Sequence, residues 1–211
     1  MRIVKNKLPF PHVIIDDLYT DDELHHIWKE LDFLSYKHKL LPPDKSGAAR
    51  DPFGKPLKQN YSYMLDEIYK DRNTSNILTY NRKLFDKDIS KEISDWDFSF
   101  KTWETVNKDL TMLSYYENSG HYKSHKDAFC YTCLTWLFKE PRSFTGGNMY
   151  FEEYDYALKV NNNRGILFHS PVFHKVTDVV MDSNYNVDSM NHFSCDGRYT
   201  ITQFGFHKPL Y

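Results

Sequence analysis

The spacing of apolar residues divides the chain into two parts. The first part contains an apolar series with the i, i+3, i+4, i+7 spacing of one helix face, formed by Leu24, Ile27, Trp28 and Leu31. Thr20 and Glu23 are placed to form a capping box, so we expect this helix to begin near residue 20. The pattern also predicts a short strand over 10–17 and helical segments over 75–86 and 88–96.

The second part changes to short apolar or alternating runs separated by turn residues. The runs are residues 110–116, 122–125, 132–138, 148–151, 157–160, 165–169, 175–179 and 200–206. Closely spaced short strands of this kind are typical of a sandwich or barrel. We therefore predict one domain over 1–211 that is mainly β with an α-helical buttress. In it, residues 1–109 support a β core over 110–208.

Residues 38–60 interrupt the first part with four prolines and two glycines. Long loops in compact domains are often lids or binding segments, but a disordered excursion fits the composition equally well. If the loop closes over a peptide, its basic residues would contact the peptide backbone or acidic groups. These residues are Lys45, Arg50, Lys55 and Lys58.

Charge and composition exclude several classes of protein. The 27 Lys and Arg nearly balance the 29 Asp and Glu, which argues against a nucleic-acid or anionic-membrane binder. Aromatic residues make up 17% of the 211 residues, which favours sheet. The longest central stretch without charge or proline, residues 128–138, is too short to span a membrane.

The three cysteines and the start of the chain indicate a compartment. An odd cysteine count without a secretory signal is typical of reduced thiols, so we expect a cytoplasmic protein, from a cellular or a viral source. Cys130 and Cys133 form a CxxC, but no second pair exists. Positions i and i+3 of a strand also point to opposite faces, so we interpret both cysteines as structural.

His125 and Asp127 are the first candidates for chemistry, because residues i and i+2 of a strand share a face. Two histidines and one carboxylate on one side of a metal suit a non-haem Fe(II) oxygenase. The candidates for the second histidine are His169, His174, His192 and His207. We favour His174, which opens a strand after a turn that contains proline.

Arg198 lies just before the apolar strand that is predicted over 200–206. A buried arginine is costly unless it meets an anion, and its planar fork suits a carboxylate held by two hydrogen bonds. An exposed arginine at the strand end is the alternative, and the neighbouring metal ligands make the carboxylate site the better interpretation.

The order of these motifs resembles the Fe(II)/2-oxoglutarate-dependent oxygenase superfamily, in its prolyl 4-hydroxylase-like branch. The residues that carry the resemblance are His-Lys-Asp at 125–127, Gly-Gly-Asn-Met-Tyr-Phe at 146–151, His-Lys-Val at 174–176 and Gly-Arg-Tyr-Thr-Ile at 197–201. The resemblance extends over residues 10–208. It implies a double-stranded β-helix (jelly-roll) core with the site at its open end.

The resemblance also implies roles for individual residues. His125, Asp127 and His174 would ligate Fe(II), and no catalytic group is implied beyond these ligands. Arg198 would hold the distal carboxylate of 2-oxoglutarate, and Thr200 would add a hydroxyl to it.

Aromatic residues complete the site that the resemblance implies. Tyr116 would border the cosubstrate, and Tyr122 would face the pocket. Trp136 stands where some relatives carry a tyrosine that binds the cosubstrate, and its indole lacks that hydroxyl. Arg198 also departs from the family pattern, since it lies 24 positions after His174. A polar insertion over 181–196, whose role is open, accounts for this longer spacing.

The implied activity is hydroxylation of a substrate C–H by O₂, with 2-oxoglutarate converted to succinate and CO₂ and ascorbate as a supporting reductant. A carboxylate at Asp127 favours hydroxylation over halogenation. The expected partner is a peptide or protein that contains proline. A free amino acid or other small molecule is the first alternative.

Two further alternatives are more distant. Oxidation of a nucleobase is disfavoured by the near-neutral charge and by the lack of a basic-aromatic strand. A cupin-like metal-binding module without turnover is the remaining alternative, and such a module would not need Arg198.

Overall fold

The computed structural model describes residues 1–36, 39–182 and 196–208, and these ranges contain fourteen strands. The strands are β1 (Arg2–Asn6), β2 (His12–Asp16), β3 (Lys58–Gln59), β4 (Tyr61–Met64), β5 (Lys108–Tyr116), β6 (His121–His125), β7 (Tyr131–Leu137), β8 (Phe144–Gly146), β9 (Met149–Phe151), β10 (Tyr156–Leu158), β11 (Arg164–His169), β12 (His174–Val176), β13 (Val179–Met181) and β14 (Arg198–Phe206).

The helices of the described residues lie before β5, apart from one short turn. The α-helices are α1 (Asp21–Tyr36), α2 (Leu65–Ile68), α3 (Asn76–Tyr80) and α4 (Lys87–Ser94). Short 3₁₀-helices occupy Arg72–Thr74, Asn81–Phe85, Phe98–Phe100, Trp103–Thr105 and Glu152–Tyr154. In the part of the chain that the structure describes, none of the helices is long and apolar enough to cross a membrane.

Two antiparallel sheets form the core. The larger sheet has the strand order β1, β2, β11, β7, β14, β5, β4, and the smaller one has the order β10, β9, β12, β6, β3. β8 and β13 pair as a separate hairpin-like ribbon. This arrangement is the predicted jelly-roll, and the N-terminal strands β1, β2 and β4 extend its larger sheet.

Alternation along the strands separates two cores. In β14, Tyr199 and Ile201 face the helices and pack with the apolar side of α1, including Ile27 and Leu31. The opposite face of the same sheet packs against the smaller sheet through side chains such as Trp136, Phe151 and Phe168. Fully burying one such apolar side chain stabilises the fold by about 1.5–3 kcal/mol. Arg198 and Thr200 therefore point between the sheets.

Most predicted elements correspond to elements of the structure. The helix predicted from residue 20 is α1, and its capping box is formed, with the Glu23 carboxylate accepting from the Thr20 N–H at 2.8 Å. The strand predicted over 175–179 is two strands, β12 and β13, because the chain leaves the smaller sheet at Thr177 and Asp178 to pair with β8. The segment 75–86 is likewise divided, into α3 and a 3₁₀-helix.

The loop over 38–60 is anchored at several points within its described part. Leu41 bridges Ser62 on β4, and Arg50 bridges Pro56 within the loop. The Ala49 N–H donates to the Tyr122 hydroxyl at 2.9 Å. The polar insertion over 181–196, with Cys195 and the alternative ligand His192, lies almost wholly outside the described residues.

Candidate metal centre and cofactor pocket

The register of the smaller sheet brings the predicted metal ligands together. His125 ends β6, His174 begins β12, and the two are direct partners across the antiparallel pair. Asp127 follows β6 by two residues, with its carboxylate oxygens 3.7 Å from His125 Nε2 and 3.5 Å from His174 Nε2. One potential ligand atom from each of the three residues lies within 4.8 Å of the others. His169, the competing histidine, is exposed at the end of β11 and lies outside this group.

Backbone carbonyls fix the tautomer of both histidines. His125 Nδ1 lies 2.8 Å from the Lys123 carbonyl, and His174 Nδ1 lies 2.9 Å from the Val172 carbonyl. A carbonyl only accepts hydrogen bonds, so each Nδ1 carries the proton and each Nε2 presents a lone pair. This pairing of one nitrogen with the backbone is typical of histidines that ligate metals.

The Asp127 carboxylate is held by a hydroxyl on β7, which in turn contacts a hydroxyl just after β11. The Thr132 hydroxyl donates to the Asp127 carboxylate at 2.7 Å, and the Ser170 hydroxyl lies 2.8 Å from Thr132 Oγ1. The Asp127 N–H donates to the Ser170 carbonyl at 3.2 Å. These contacts hold the carboxylate toward the two imidazoles.

The electrostatics of the group favour a cation. Burial, together with the nearby His174 and Lys58, lowers the pKa of His125 to about 3, so the imidazole is neutral at pH 7. Burial raises the pKa of Asp127, because its charge is poorly solvated. Two imidazole nitrogens and one carboxylate suit a divalent transition metal, which would compensate the buried charge. The donor set therefore fits Fe(II).

Arg198 is completely buried at the start of β14. Its Nη2 donates to Thr200 Oγ1 at 2.8 Å, its Nη1 donates to the Gly147 carbonyl, and its guanidinium lies 4.6 Å from the centre of the Tyr116 ring. Its Nε–H has no hydrogen-bond partner, and Arg198 forms no ion pair among the described residues. Burial lowers the pKa of Arg198 to about 10. A buried guanidinium with an unused donor fits a ligand carboxylate.

One cavity of about 540 Å³ joins the metal-ligand group to Arg198. The three candidate ligands, Arg198, Thr200, Tyr116 and Tyr122 all line it. Part of its lining is apolar, and the side chains that form this part include Met64, Met112, Phe129, Leu134 and Phe204. Residues 45–49 of the long loop form one wall. The cavity is large enough for a small cosubstrate and part of a second ligand.

Tyr122 connects a ligand to the loop wall. Its ring stacks on His125 with 3.6 Å between ring centres and an angle of 15°. Its hydroxyl accepts from the Ala49 N–H, and burial raises its pKa to about 12. Tyr122 therefore orients His125 and holds the loop at the cavity.

The structure does not bring Trp136 to the cavity. Trp136 is fully buried in the core between the sheets, as the register partner of Thr200 on β14, and is not among the lining side chains. Strand alternation places Trp136 on the inner face of β7, but its large side chain packs in the core between the sheets, beside Thr200. The indole N–H has no partner.

Sequence patterns did not reveal two further features. Lys58 is expected on the loop surface, but only 3% of it is exposed, because β3 pairs it with Tyr122 at the side of the cavity. Thr132 supports Asp127 through its place on the inner face of β7. A single threonine in an apolar strand gives no distinctive pattern, and Lys58 lies in a strand of only two residues, which is too short to show alternation.

No family model matches the sequence, and no curated protein matches it. Solved structures match the fold. A prolyl-4-hydroxylase from Pseudomonas putida is similar with a TM-score of 0.60 and 11% identity, covering 94% of this chain and 93% of that one.

Two further structures are similar at comparable levels. A prolyl hydroxylase from Trichoplax adhaerens, in complex with a hypoxia inducible factor oxygen degradation domain peptide fragment, has a TM-score of 0.57 and 14% identity over 92% of this chain and 83% of that one. An oxidoreductase of the 2OG-Fe(II) oxygenase family from Burkholderia pseudomallei has a TM-score of 0.53 and 15% identity over 92% of this chain and 84% of that one. The chain therefore has the fold of the 2-oxoglutarate–Fe(II) oxygenases, with prolyl hydroxylases among its structural neighbours.

Proposed function

We propose that this protein is an Fe(II)- and 2-oxoglutarate-dependent dioxygenase that hydroxylates a C–H bond of its substrate. The observation that carries the proposal is the convergence of His125, Asp127 and His174 in one cavity with the buried Arg198. A cupin-like binding module accounts for the ligands but not for a completely buried guanidinium without an anionic partner among the described residues.

Each ligand has a defined part in this proposal. His125 and His174 would hold Fe(II) through Nε2, since their Nδ1 atoms are occupied by backbone carbonyls. Asp127 supplies the negative charge, and Thr132 keeps its carboxylate oriented. The three residues all line the cavity and would hold the metal there, next to the space left for the cosubstrate and the substrate.

The cosubstrate pocket is the end of the cavity at Arg198. Its guanidinium and the Thr200 hydroxyl would hold the distal carboxylate of 2-oxoglutarate, and the Tyr116 ring would form one wall. Bound Fe(II) would supply the oxidising chemistry, in which 2-oxoglutarate, O₂ and a substrate C–H give succinate, CO₂ and a hydroxylated substrate. The apolar lining excludes water from this reaction.

We propose peptidyl proline as the group that is hydroxylated. The support is the similarity in fold to two proteins named as prolyl hydroxylases, one of them in complex with a peptide fragment. The apolar part of the cavity lining suits a proline ring. A free amino acid is the alternative, and comparing turnover of a proline-containing peptide with that of free L-proline separates the two.

Succinate formation tests the proposal. The protein with Fe(II), 2-oxoglutarate and O₂ should convert 2-oxoglutarate to succinate, and Asp127→Ala and His174→Ala should lower this rate to below about one hundredth, because losing a ligand exceeds the 10–100-fold effect of losing its support. His169→Ala removes an exposed histidine outside the group and should retain the rate. Full turnover by Asp127→Ala would contradict the proposed ligand set.

A further inference from the structure

Two buried cations lie close to the cavity, and neither has an anionic partner among the described residues. One is Arg198, which belongs to the cavity lining. The other is Lys58, whose ammonium donates to Ser62 Oγ at 2.6 Å and to the Gly47 carbonyl at 2.8 Å. Both acceptor residues line the cavity. Burial lowers the pKa of Lys58 to about 8, so the ammonium remains the main form at pH 7. A buried ammonium held only by neutral acceptors retains most of its desolvation cost.

The two cations stand at opposite ends of a row of hydroxyls. Ser62 on β4, Ser114 on β5 and Thr200 on β14 are register partners across three adjacent strands. All three are buried and line the cavity. With a strand spacing of 4.7–4.9 Å, the Lys58 end lies about 10 Å from the Arg198 end.

The direction of the hydrogen bonds decides which ligand this row accepts. Lysine and arginine only donate, so the Ser62 and Thr200 hydroxyls receive a hydrogen bond and keep their own hydrogens for the cavity. Donation from a cation also makes each hydroxyl a stronger donor. Each end of the row therefore suits a group that only accepts hydrogen bonds, and a carboxylate is such a group.

2-Oxoglutarate has two carboxylates, and the proposed function uses both, one at Arg198 and one at the metal. The Lys58 end is then left for another molecule. We infer that Lys58 and Ser62 form a subsite for a carboxylate of the primary substrate. This inference rests on the proposed function and narrows its substrate to one with a carboxylate near the reacting carbon, either the α-carboxylate of a small amino acid or an acidic group of a peptide.

The charged residues that line the cavity are consistent with this assignment. Apart from the proposed metal ligand Asp127, the charged lining residues are Lys45, Lys126, Arg198 and Glu67. The cavity lining is thus net positive, although the whole chain carries a formal charge of −2. A positive cleft attracts an anionic substrate. Lys58 is also close to the chemistry, since it lies 6.0 Å from the Tyr122 ring that stacks on His125.

Equilibrium dialysis tests the subsite without turnover. The protein is loaded with Mn(II) and 2-oxoglutarate under anaerobic conditions and offered two matched ligand pairs, each differing by a carboxylate. The pairs are L-proline with L-prolinamide, and acetyl-Gly-Pro-Glu-Gly-amide with acetyl-Gly-Pro-Gln-Gly-amide. In at least one pair the carboxylate member should bind at least about tenfold more tightly, as expected for a hydrogen bond to a charged group. The pair that shows the preference identifies the source of the carboxylate.

Variants then assign the preference to this subsite. Lys58→Met should abolish it, whereas Lys87→Met removes an exposed charge of α4, outside the cavity lining, and should keep it. Ser62→Ala retains the ammonium and should weaken the carboxylate member by between about twofold and tenfold, which gives a second test if Lys58→Met does not fold. A purely structural Lys58 would lower thermal stability without changing the ratio within a pair.

Two results would overturn the inference. Equal binding within both pairs, or a preference that survives Lys58→Met and Ser62→Ala, would show that the carboxylate subsite lies elsewhere or does not exist. Binding of labelled 2-oxoglutarate is measured in the same samples. Failure to retain it with Mn(II) present would count against the proposed function itself. A wild-type protein that retains 2-oxoglutarate but shows no carboxylate preference would count only against the subsite.

Discussion

His125 illustrates how local contacts prepare a side chain to bind metal. Its ring is buried, its Nδ1–H is held by the Lys123 carbonyl, and Tyr122 stacks on its face. Together these contacts keep the imidazole neutral and its free nitrogen directed toward Asp127. The same burial lowers the stability of the metal-free protein at acidic pH. There the unfolded chain would bind a proton at His125, whereas the folded protein keeps this imidazole neutral.

That cost predicts a pH dependence of stability. The pKa of His125 falls from 6.5 in the unfolded chain to about 3 in the fold. Between these values the unfolded state binds the proton and the folded state does not, so stability falls as pH falls from 6.5 to 3. The slope from this one group is at most about 1.4 kcal/mol per pH unit. Urea unfolding of metal-free His125→Gln across this range should show a shallower decline than the wild type.

A variant of an exposed histidine provides the control for this experiment. His25→Gln lies on α1, away from the site, and should follow the wild-type decline. Equal slopes for the wild type and His125→Gln would contradict a neutral, buried His125.

The turn between β8 and β9 controls how closely the backbone approaches Arg198. Gly147 has a φ of +65°, and a Cβ at this position would lie 3.3 Å from Arg198 Nη1 and 3.0 Å from Val179 Cγ2. Its carbonyl also accepts from Arg198. The glycine therefore allows a backbone carbonyl to reach the guanidinium that we assign to the cosubstrate.

Gly147→Ala should affect both stability and cosubstrate binding. A left-handed conformation costs an alanine about 1–2 kcal/mol, and the added methyl group displaces Arg198. Gly54→Ala is the matched control, because Gly54 has a φ of +82° but no atom within 4 Å of a built Cβ. Both variants should lose stability in urea unfolding, and only Gly147→Ala should bind 2-oxoglutarate more weakly. An unchanged affinity of Gly147→Ala for 2-oxoglutarate would contradict the assignment of Arg198 to the cosubstrate.

The elements that could be predicted from sequence are those with a strong local pattern. Helix α1 has both an apolar face and a capping box, and β5, β7 and β14 are long apolar strands. Short strands such as β8, with three residues, carry too few positions to show alternation. The division of 175–179 into β12 and β13 depends on pairing with β8, which is distant in sequence, so local spacing could not reveal it.

The candidate site shows the same limit. His125, Asp127, His174 and Arg198 were found because their chemistry is distinctive and their order matches a known family. The burial of Lys58 and the exclusion of Trp136 from the cavity depend on how the two sheets face each other. Neither follows from the residue type, because a lysine in a proline-rich loop is usually exposed.

At the scale of the whole molecule, the jelly-roll places two kinds of group on opposite walls of one cavity. The smaller sheet contributes His125 and His174, and the larger sheet contributes Arg198 and the row of hydroxyls. Helices cover the outer face of the larger sheet and leave the inner face to the site. The apolar part of the cavity lining and the anchored loop then enclose the space between the walls.

The most direct test of the account is whether this protein binds Fe(II) and 2-oxoglutarate together. Adding both to the metal-free protein without O₂ should produce the weak visible absorption band of 2-oxoglutarate chelated to Fe(II). His174→Ala should lose the band, and Arg198→Met should need at least about tenfold more 2-oxoglutarate to form it, because a charge-assisted contact is lost. A protein that binds the metal without forming this band would contradict the assignment as a dioxygenase.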